Sequence, residues 1–203
     1  MEKVKPTLTH RQRQAQATRT LIIDAARKLF LQQGYVATTI DAIGTEAGVA
    51  VSTVYAIFRN KRGILGAIRE AWHQTSGQRE LFQDAMEASD PCQRLALMAH
   101  ATRRQWETGA EMTAIYQAAA SADPEAADEL ATALRGRRTG LKRFIDACAP
   151  DLRQDMSAEQ LLAILFALTL PQLYEELVQT SGWSPHAYEE WLTETLQRQL
   201  LAP

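Results

Sequence analysis

The sequence predicts an all-α protein, with a three-helix head at the amino terminus and a larger helical bundle behind it. Leu, Ala, Gln, Glu and Arg are abundant while Gly and Pro are scarce, and this composition favours helix. Apolar residues recur every three or four positions along most of the chain. At 203 residues and 46% hydrophobic content, the chain can bury a substantial core.

The first helix is predicted from about Gln16 to Gln33, behind a polar and basic stretch over residues 1–14 that we interpret as a flexible arm. Apolar residues recur along this helix at helical spacing and mark its inward face. They are Leu21, Ile22, Ala25, Ala26, Leu29 and Phe30. The helix is therefore expected to pack one side against the rest of the head.

Two short helices joined by a tight turn are predicted between residues 38 and 61. The hydroxyl of Thr39 is suited to cap the first helix, and Gly48 is suited to end it in the left-handed conformation. The second helix is expected to begin at Ser52 or Thr53. A helix, a glycine-containing turn and a helix starting with small polar residues are typical of a helix-turn-helix, which lays its second helix in the DNA major groove.

The stretch from Arg19 to Leu65 resembles the DNA-binding domain of the tetracycline-repressor-like (TetR/AcrR) family of transcriptional regulators. The matching residues are Ala25, Ala26, Leu29, Phe30, Gly34 and Tyr35, then Thr38, Thr39, Ile40 and Ile43, then Ala47, Gly48 and Val49, then Ser52, Tyr55, Phe58, Asn60 and Lys61. Beyond Leu65 the resemblance is one of architecture only. It implies a DNA-binding head over residues 15–62 and a ligand-binding and dimerisation domain over residues 63–203.

The helices of the body are predicted from their start and stop residues. A long helix is expected to begin near Lys61 and to connect head and body. Two later helices begin with an Asp-Pro pair, in which the aspartate caps the helix and the proline occupies its first turn. These pairs are Asp90 with Pro91 and Asp123 with Pro124. Gly109 is expected to end the first of these helices, and a short helix is expected before the second.

The last two helices form the most apolar part of the sequence. Ser157 and Gln160 make a capping-box pattern ahead of a stretch that is apolar nearly all round, and Pro171 is expected to kink that stretch. Ser184 with Pro185 begins the final helix. The resemblance implies that these two helices pair with their counterparts in a homodimer. The alternative is that they only close the core of one chain.

Charge is divided unevenly along the chain. Residues 1–65 carry ten Lys and Arg against four Asp and Glu, whereas residues 66–203 carry twelve against twenty. This division predicts a head that attracts phosphate and a body that DNA repels.

Several classes of protein and site are excluded at this stage. No run of about 18 uncharged apolar residues occurs, so no membrane span is expected. The basic amino terminus has no apolar stretch behind it, so it is not a signal peptide. The two cysteines, Cys92 and Cys148, indicate a reduced cytoplasm, and the four scattered histidines provide no metal geometry. A cytoplasmic protein without metal or cofactor is therefore predicted.

The resemblance assigns roles to residues of the helix-turn-helix. Thr39, Tyr55 and Lys61 match positions that contact phosphates in the family, and hydroxyl and ammonium groups are suited to that contact. Contacts with base edges are expected from Val51, Ser52, Thr53, Ala56 and Ile57.

Some contacts remain open. Val51 and Ile57 depart from the family's commoner residues and can read only thymine methyl groups, so no base preference is predicted. Arg11, Arg13 and Arg19 either reach the DNA or belong to an unstructured basic tail.

Large side chains on the inward faces of the body helices are expected to line a cavity for a largely hydrophobic effector. They are Trp106, Met112, Tyr116, Phe144, Phe166 and Tyr174. Two charged groups are interpreted as solvent-exposed helix faces. They are the set His100, Arg103, Arg104 and Glu107 and the set Arg135, Arg137 and Arg138.

The leading hypothesis is a homodimeric repressor that a small molecule releases from a palindromic site on double-stranded DNA. One alternative is a helix-turn-helix co-regulator that acts through protein contacts without an inducer. The other is an enzyme built on a helical bundle, but the sequence contains no nucleophile, zinc or phosphate-loop motif that would support it.

Overall fold

A computed structural model describes residues 9–202, and these residues confirm the all-α fold class. The α-helices are α1 (His10–Gln33), α2 (Ile40–Ala47), α3 (Val51–Phe58), α4 (Lys61–Thr75), α5 (Gln78–Glu87), α6 (Pro91–Ala122), α7 (Pro124–Cys148), α8 (Ala158–Leu168), α9 (Pro171–Tyr174) and α10 (Pro185–Leu200). A 3₁₀ turn over Ala149–Asp151 follows α7, and a π-helical segment over Glu175–Thr180 follows α9. Within the described part of the chain no single helix is long and apolar enough to cross a membrane, although two bent helix pairs reach that length and composition together.

The chain forms two compact units. The first contains residues 9–70 and Glu111–Leu130, and the second contains Ala71–Ala110 and residues 131–202. These units do not coincide with the predicted domains, because residues 63–70 and Glu111–Leu130 pack with the head. The domain boundary near residue 62 remains a prediction.

The first helix begins earlier than predicted. Thr9 caps α1 and forms a capping box with Gln12, in which each side chain bonds to the backbone NH of the other residue. The predicted arm over residues 1–14 is therefore wrong from His10 onward, and its residues 1–8 lie outside the described part of the chain. The Thr-x-x-Gln pattern that starts this helix was visible in the sequence and was missed.

Gly109 does not end a helix, since α6 runs without interruption from Pro91 to Ala122. A Cβ at Gly109 would lie 3.2–3.4 Å from the ring of Trp72, so the glycine allows close packing. The predicted stop was wrong because a glycine that serves packing has the same sequence signature as a glycine that ends a helix. Helix α5 was not predicted.

The other helix starts are confirmed. The carboxylates of Asp90 and Asp123 accept backbone NH bonds at the starts of α6 and α7. Ser157 forms the expected capping box with Gln160, and Ser184 caps α10. The kink expected at Pro171 is a break: α8 ends at Leu168, and the chain direction bends by 44° before the next helical segment.

Each unit buries its own apolar residues. In the first unit the fully buried side chains join the head helices to α4, and they include Ile22, Phe30, Ile43, Val54, Phe58, Ile64 and Leu65. In the second unit one continuous cluster is formed by α5–α10, and it includes Leu95, Trp106, Phe144, Ile145, Leu165, Tyr174, Tyr188, Leu192 and Leu196.

Candidate DNA interface and ligand-binding region

The turn between α2 and α3 has the geometry of a helix-turn-helix. The chain direction changes by 109° across it. Gly48 adopts φ +66° and donates its NH to the carbonyl of Thr45, while the NH of Val49 bonds to the carbonyl of Gly44. These two bonds make a Schellman motif, which ends α2 and aims the chain into α3. Gly44 also allows close contact, since a Cβ there would lie 3.2 Å from the carbonyl oxygen of Val49.

Helix α3 starts at Val51, and Ala50 is its cap residue without a side-chain bond. The helix therefore begins one residue before the earlier of the two predicted starts, Ser52 and Thr53. Both residues lie in the first turn of the helix.

The predicted base-reading residues differ in exposure. Ser52 and Ala56 are exposed, as is Tyr55, whereas Val51, Thr53 and Ile57 are half-buried. Val51 lies against α2, because a Cβ on Gly44 would come within 3.4 Å of its side chain. The outer surface of α3 thus consists of a small hydroxyl, a methyl group and a phenol, with three β-branched side chains at its margins.

Besides Tyr55, phosphate contacts are predicted for Thr39 and Lys61, and both side chains already have roles in the fold. The Thr39 hydroxyl accepts the NH of Ala42 at 3.0 Å and so caps α2. The Lys61 ammonium donates to the carbonyl of Tyr35 at 2.8 Å and to that of Val36 at 3.3 Å, and it lies 4.5 Å from the centre of the Tyr35 ring. Burial lowers the pKa of Lys61, and burial together with nearby carboxylates raises the pKa of Tyr35 to about 12.

The connection from α3 to α4 is tight and strained. Arg59 has φ +66°, and the NH of Asn60 bonds to the carbonyl of Phe58 at 2.8 Å, which closes a γ-turn around Arg59. The Asn60 side chain then accepts the NH of Gly63 at 2.9 Å. A Cβ at Gly63 would lie only 2.1 Å from the Phe58 carbonyl oxygen, so a side chain cannot fit there. These contacts fix the end of α3.

The basic side chains of the first unit have different surroundings. The guanidinium of Arg19 lies 4.8 Å from the centre of the Phe58 ring and is half-buried. Lys28 pairs with Glu46 at 2.5 Å. Arg27, Arg62 and Arg69 each approach a glutamate of the segment Glu111–Leu130, at 3.7, 3.9 and 3.1 Å. Arg11 and Arg13 are exposed on the first turn of α1, which leaves them accessible to an anionic partner.

The six residues predicted to line a cavity fall into both compact units. Trp106, Phe144 and Tyr174 belong to the hydrophobic cluster of the second unit, and Phe166 packs against it. Met112 and Tyr116 belong to the first unit, where the Tyr116 hydroxyl donates to the carbonyl of Leu65 at 3.0 Å. The hydroxyl of Tyr116, one of the predicted lining residues, is therefore already bonded within the chain.

Arg137 was predicted to lie on the surface, and this was wrong. Its guanidinium lies between the Trp106 and Phe166 rings, 5.3 and 5.1 Å from their centres, and bonds to both the carbonyl and the hydroxyl of Thr169. Burial lowers the pKa of Arg137 to about 10. Helical spacing held part of the signal, since Arg137 precedes the buried Leu141 by four positions.

The charged set on α6 is not a purely solvated face. Arg103 and His100 both bond to the carboxylate of Glu189 on α10, and Arg103 also bonds to Glu107 at 2.6 Å. Burial raises the pKa of Glu189, but the hydrogen bonds from Arg103 and His100 outweigh it, so the pKa lies below its usual range. Within residues 9–202, no group of three His, Cys, Asp or Glu side chains is arranged to hold a metal ion.

Comparison with known proteins supports the geometry of the head. A family model described as bacterial regulatory proteins, tetR family, matches residues 22–68. The transcriptional regulator AcrR of Shigella flexneri is 36% identical over 78 residues, which span 38% of this chain and 36% of that relative. The chain thus matches little more than a third of the length of this curated relative.

Two solved structures share the fold over nearly the whole chain. NalD, titled the secondary repressor of the MexAB-OprM multidrug efflux pump in Pseudomonas aeruginosa, superimposes with a TM-score of 0.73 at 24% identity, covering 93% of this chain and 98% of that one. SmeT of Stenotrophomonas maltophilia, in a structure titled as its complex with triclosan, gives a TM-score of 0.74 at 22% identity, covering 92% of each chain.

Proposed function

We propose that the chain is a transcriptional regulator of the TetR/AcrR family, that it binds a palindromic DNA operator as a homodimer and that a small molecule releases it. The observation that carries the proposal is the helix-turn-helix: α3 follows a Schellman turn and presents exposed Ser52, Tyr55 and Ala56 on the surface that would enter a major groove.

Direct reading of bases falls to α3 in this proposal. Ser52 and Thr53 provide hydroxyls, while Ala56 with the margins of Val51 and Ile57 provides methyl groups that fit thymine. Positioning on the backbone falls to the Tyr55 hydroxyl, to the α2 amino terminus at Thr39 and to Lys61. One ammonium donor of Lys61 remains for a phosphate after its two carbonyl bonds are made.

The proposed effector site lies in the second unit, among the aromatic residues of the cluster. NalD, which shares the fold, is described as the secondary repressor of an efflux pump, and SmeT, which also shares it, is described in a complex with the small molecule triclosan. Both descriptions favour a small-molecule effector for this chain. Repression is proposed on the same grounds.

The test is selection of binding sites from random DNA by the purified full-length chain. We expect enriched sequences with two half-sites in opposite orientation, centred one helical turn or a multiple of it apart, about 10–10.5 base pairs per turn. Enrichment of single half-sites, or of none, would contradict the proposal.

A matched variant tests the assignment of Tyr55. Tyr55→Phe removes only an exposed hydroxyl, so the fold should be unaffected. We expect weaker binding to selected and random DNA by the same factor, about two- to tenfold, as expected for loss of a hydrogen bond. A loss confined to the selected operator would indicate base reading by Tyr55 instead.

A further inference from the structure

Arg137 is a half-buried cation that pairs with no carboxylate of the described residues. One of its terminal nitrogens, Nη2, bonds to Thr169, whereas the other, Nη1, is buried and has no hydrogen-bond partner. The rings of Trp106 and Phe166 pack over the guanidinium. Burying an unpaired charge is unfavourable, so we expect the Arg137 guanidinium to bind an anion.

A second polar atom in the same cluster is also unpaired. Tyr188 is fully buried, and its hydroxyl has no hydrogen-bond partner. The ring packs edge-on against Tyr174 with centres 5.0 Å apart, and the phenol lies close enough to Arg137 for each group to affect the pKa of the other. Unbonded buried donors are rare in folded proteins, and two of them near each other indicate a common acceptor.

We propose that this cluster binds an amphipathic monoanion, a single carboxylate or phenolate on an apolar body, with Arg137 Nη1 and the Tyr188 hydroxyl as donors to the anion. The apolar body packs against the rings of Trp106, Phe166 and Tyr174. The inference rests on the proposed function, because it names the chemical class of the effector of that regulator.

The charge of the site distinguishes the anion from other ligand classes. A cation would be repelled by the guanidinium, and a neutral carbonyl would accept a hydrogen bond but leave the positive charge unbalanced. An anion satisfies both donors and the charge. The aromatic rings supply the apolar surface against which the apolar body would pack.

Arg137 also links this site to the break between α8 and α9. The break leaves the Thr169 carbonyl without a helical partner, and Trp106 Nε1 and Arg137 Nη2 both donate to it. An anion bound at Nη1 that draws the guanidinium towards itself lengthens the bonds from Nη2 to Thr169. Occupation of the site thus changes the bend between α8 and α9, which lie in the stretch proposed to form the dimer.

The test is calorimetric titration of the intact protein with benzoate, 2-naphthoate and decanoate, each paired with its neutral amide. We expect at least one acid to bind about tenfold or more tightly than its amide, because a charge-assisted bond is lost in the amide. Arg137→Gln should weaken that acid by a similar factor and leave the amide unchanged. Arg143→Gln removes the same charge from an exposed position of α7 and should change neither affinity.

Tyr188→Phe keeps the test valid if Arg137→Gln fails to fold. The Tyr188 hydroxyl makes no bond within the chain, so its removal should leave the melting temperature unchanged while weakening the acid severalfold. The inference is overturned if no acid binds, if acid and amide bind equally, or if acid binding survives Tyr188→Phe and any folded Arg137 variant.

Operator binding is measured separately so that the two proposals fail separately. An acid that binds through Arg137 but does not release the operator supports the anion site and contradicts the proposed ligand response. A neutral compound that releases the operator equally well from wild type and from the Arg137→Gln variant supports the ligand response and contradicts the anion site.

Discussion

Lys61 makes contacts within the head that do not involve DNA. Its ammonium joins the carbonyls of Tyr35 and Val36, between α1 and α2, to the first residue of α4. A lysine in this position stabilises the fold through charge-assisted bonds to carbonyls that would otherwise lack a partner. Loss of DNA binding on mutation would therefore not by itself identify a phosphate contact.

Lys61→Met separates the two roles because it keeps the aliphatic stem and removes the ammonium. We expect the free energy of unfolding to fall by about 1–3 kcal/mol, measured by urea denaturation, since two carbonyls lose a charged donor. The slope of log affinity against log salt for DNA should fall by about one unit if Lys61 neutralises a phosphate. Lys142→Met, in an exposed pair with Asp146, should change neither quantity. An unchanged slope would place Lys61 away from the DNA backbone.

Thr53 is half-buried on α3, with its hydroxyl in the first turn of the helix. Thr53→Ala should weaken operator binding by on the order of 1 kcal/mol, with the loss concentrated at one base pair per half-site. The measurement is fluorescence anisotropy with a set of operators that carry single base changes. A uniform loss over all operators would make Thr53 a positioning residue, and Thr139→Ala in α7 is the control.

The junction of α3 and α4 determines the position of α3 relative to α4. Three features keep this connection short. They are the γ-turn at Arg59, the cap at Asn60 and the close approach of Gly63 to Phe58. A side chain at position 63 would displace α3, because Phe58, the last residue of α3, supplies the carbonyl oxygen that Gly63 approaches.

Two glycines of α4 give a matched test of this junction. Gly63→Ala should destabilise the head by about 1–3 kcal/mol, since its Cβ would overlap the Phe58 carbonyl, and it should weaken operator binding by displacing α3. At Gly66 a Cβ would lie 3.6 Å from the Glu129 carboxylate, so Gly66→Ala should be neutral or stabilising by up to about 1 kcal/mol. Equal effects of the two changes on thermal unfolding would contradict the packing described.

Helices α6 and α10 are joined by the polar contacts of Glu189. Because the pKa of Glu189 in the folded protein lies below its unfolded value, its contribution to stability is present above the unfolded pKa and is lost as pH falls through the folded pKa. Glu189→Gln should therefore destabilise the protein at neutral pH, and the difference from wild type should shrink under acid conditions. Denaturation at a series of pH values measures this, and a constant difference would contradict it.

At the scale of the whole molecule, the proposed dimer requires a surface that a single chain leaves open. Leu196 does not belong to it, because the residue is fully buried in the hydrophobic cluster of its own chain. A charge there would unfold the protomer rather than separate two copies. Ala163 and Ala167 are exposed at successive turns of the apolar α8, and they present the surface that a second copy would cover.

Ala167→Glu tests the dimer directly. A carboxylate left unpaired in an apolar interface should weaken association by on the order of several kcal/mol. We expect sedimentation at micromolar concentration to give a monomer with the helical content of wild type. Operator binding should fall with it, since two half-sites about 34–36 Å apart need two linked heads. Ala110→Glu, at an exposed position of α6, is the control, and a wild-type monomer would remove the premise.

Local chemistry made most of the helix boundaries predictable. Caps at Thr39, Asp90 and Ser157 act through bonds to residues three positions away, and the Gly48 turn depends on one residue's freedom to adopt positive φ. Such interactions are written in adjacent residues, so the sequence alone determined the all-α class, the helix-turn-helix and the break at Pro171.

Tertiary packing decided the rest, because it depends on residues far apart in the chain. Whether Gly109 ends a helix or admits a ring depends on Trp72, which lies 37 positions earlier. Whether Arg137 is solvated or buried depends on Trp106, Phe166 and Thr169, which the fold brings around it. A charge run has the same local pattern in either case, and only the neighbours supplied by the fold turn one of its arginines into the centre of a candidate binding site.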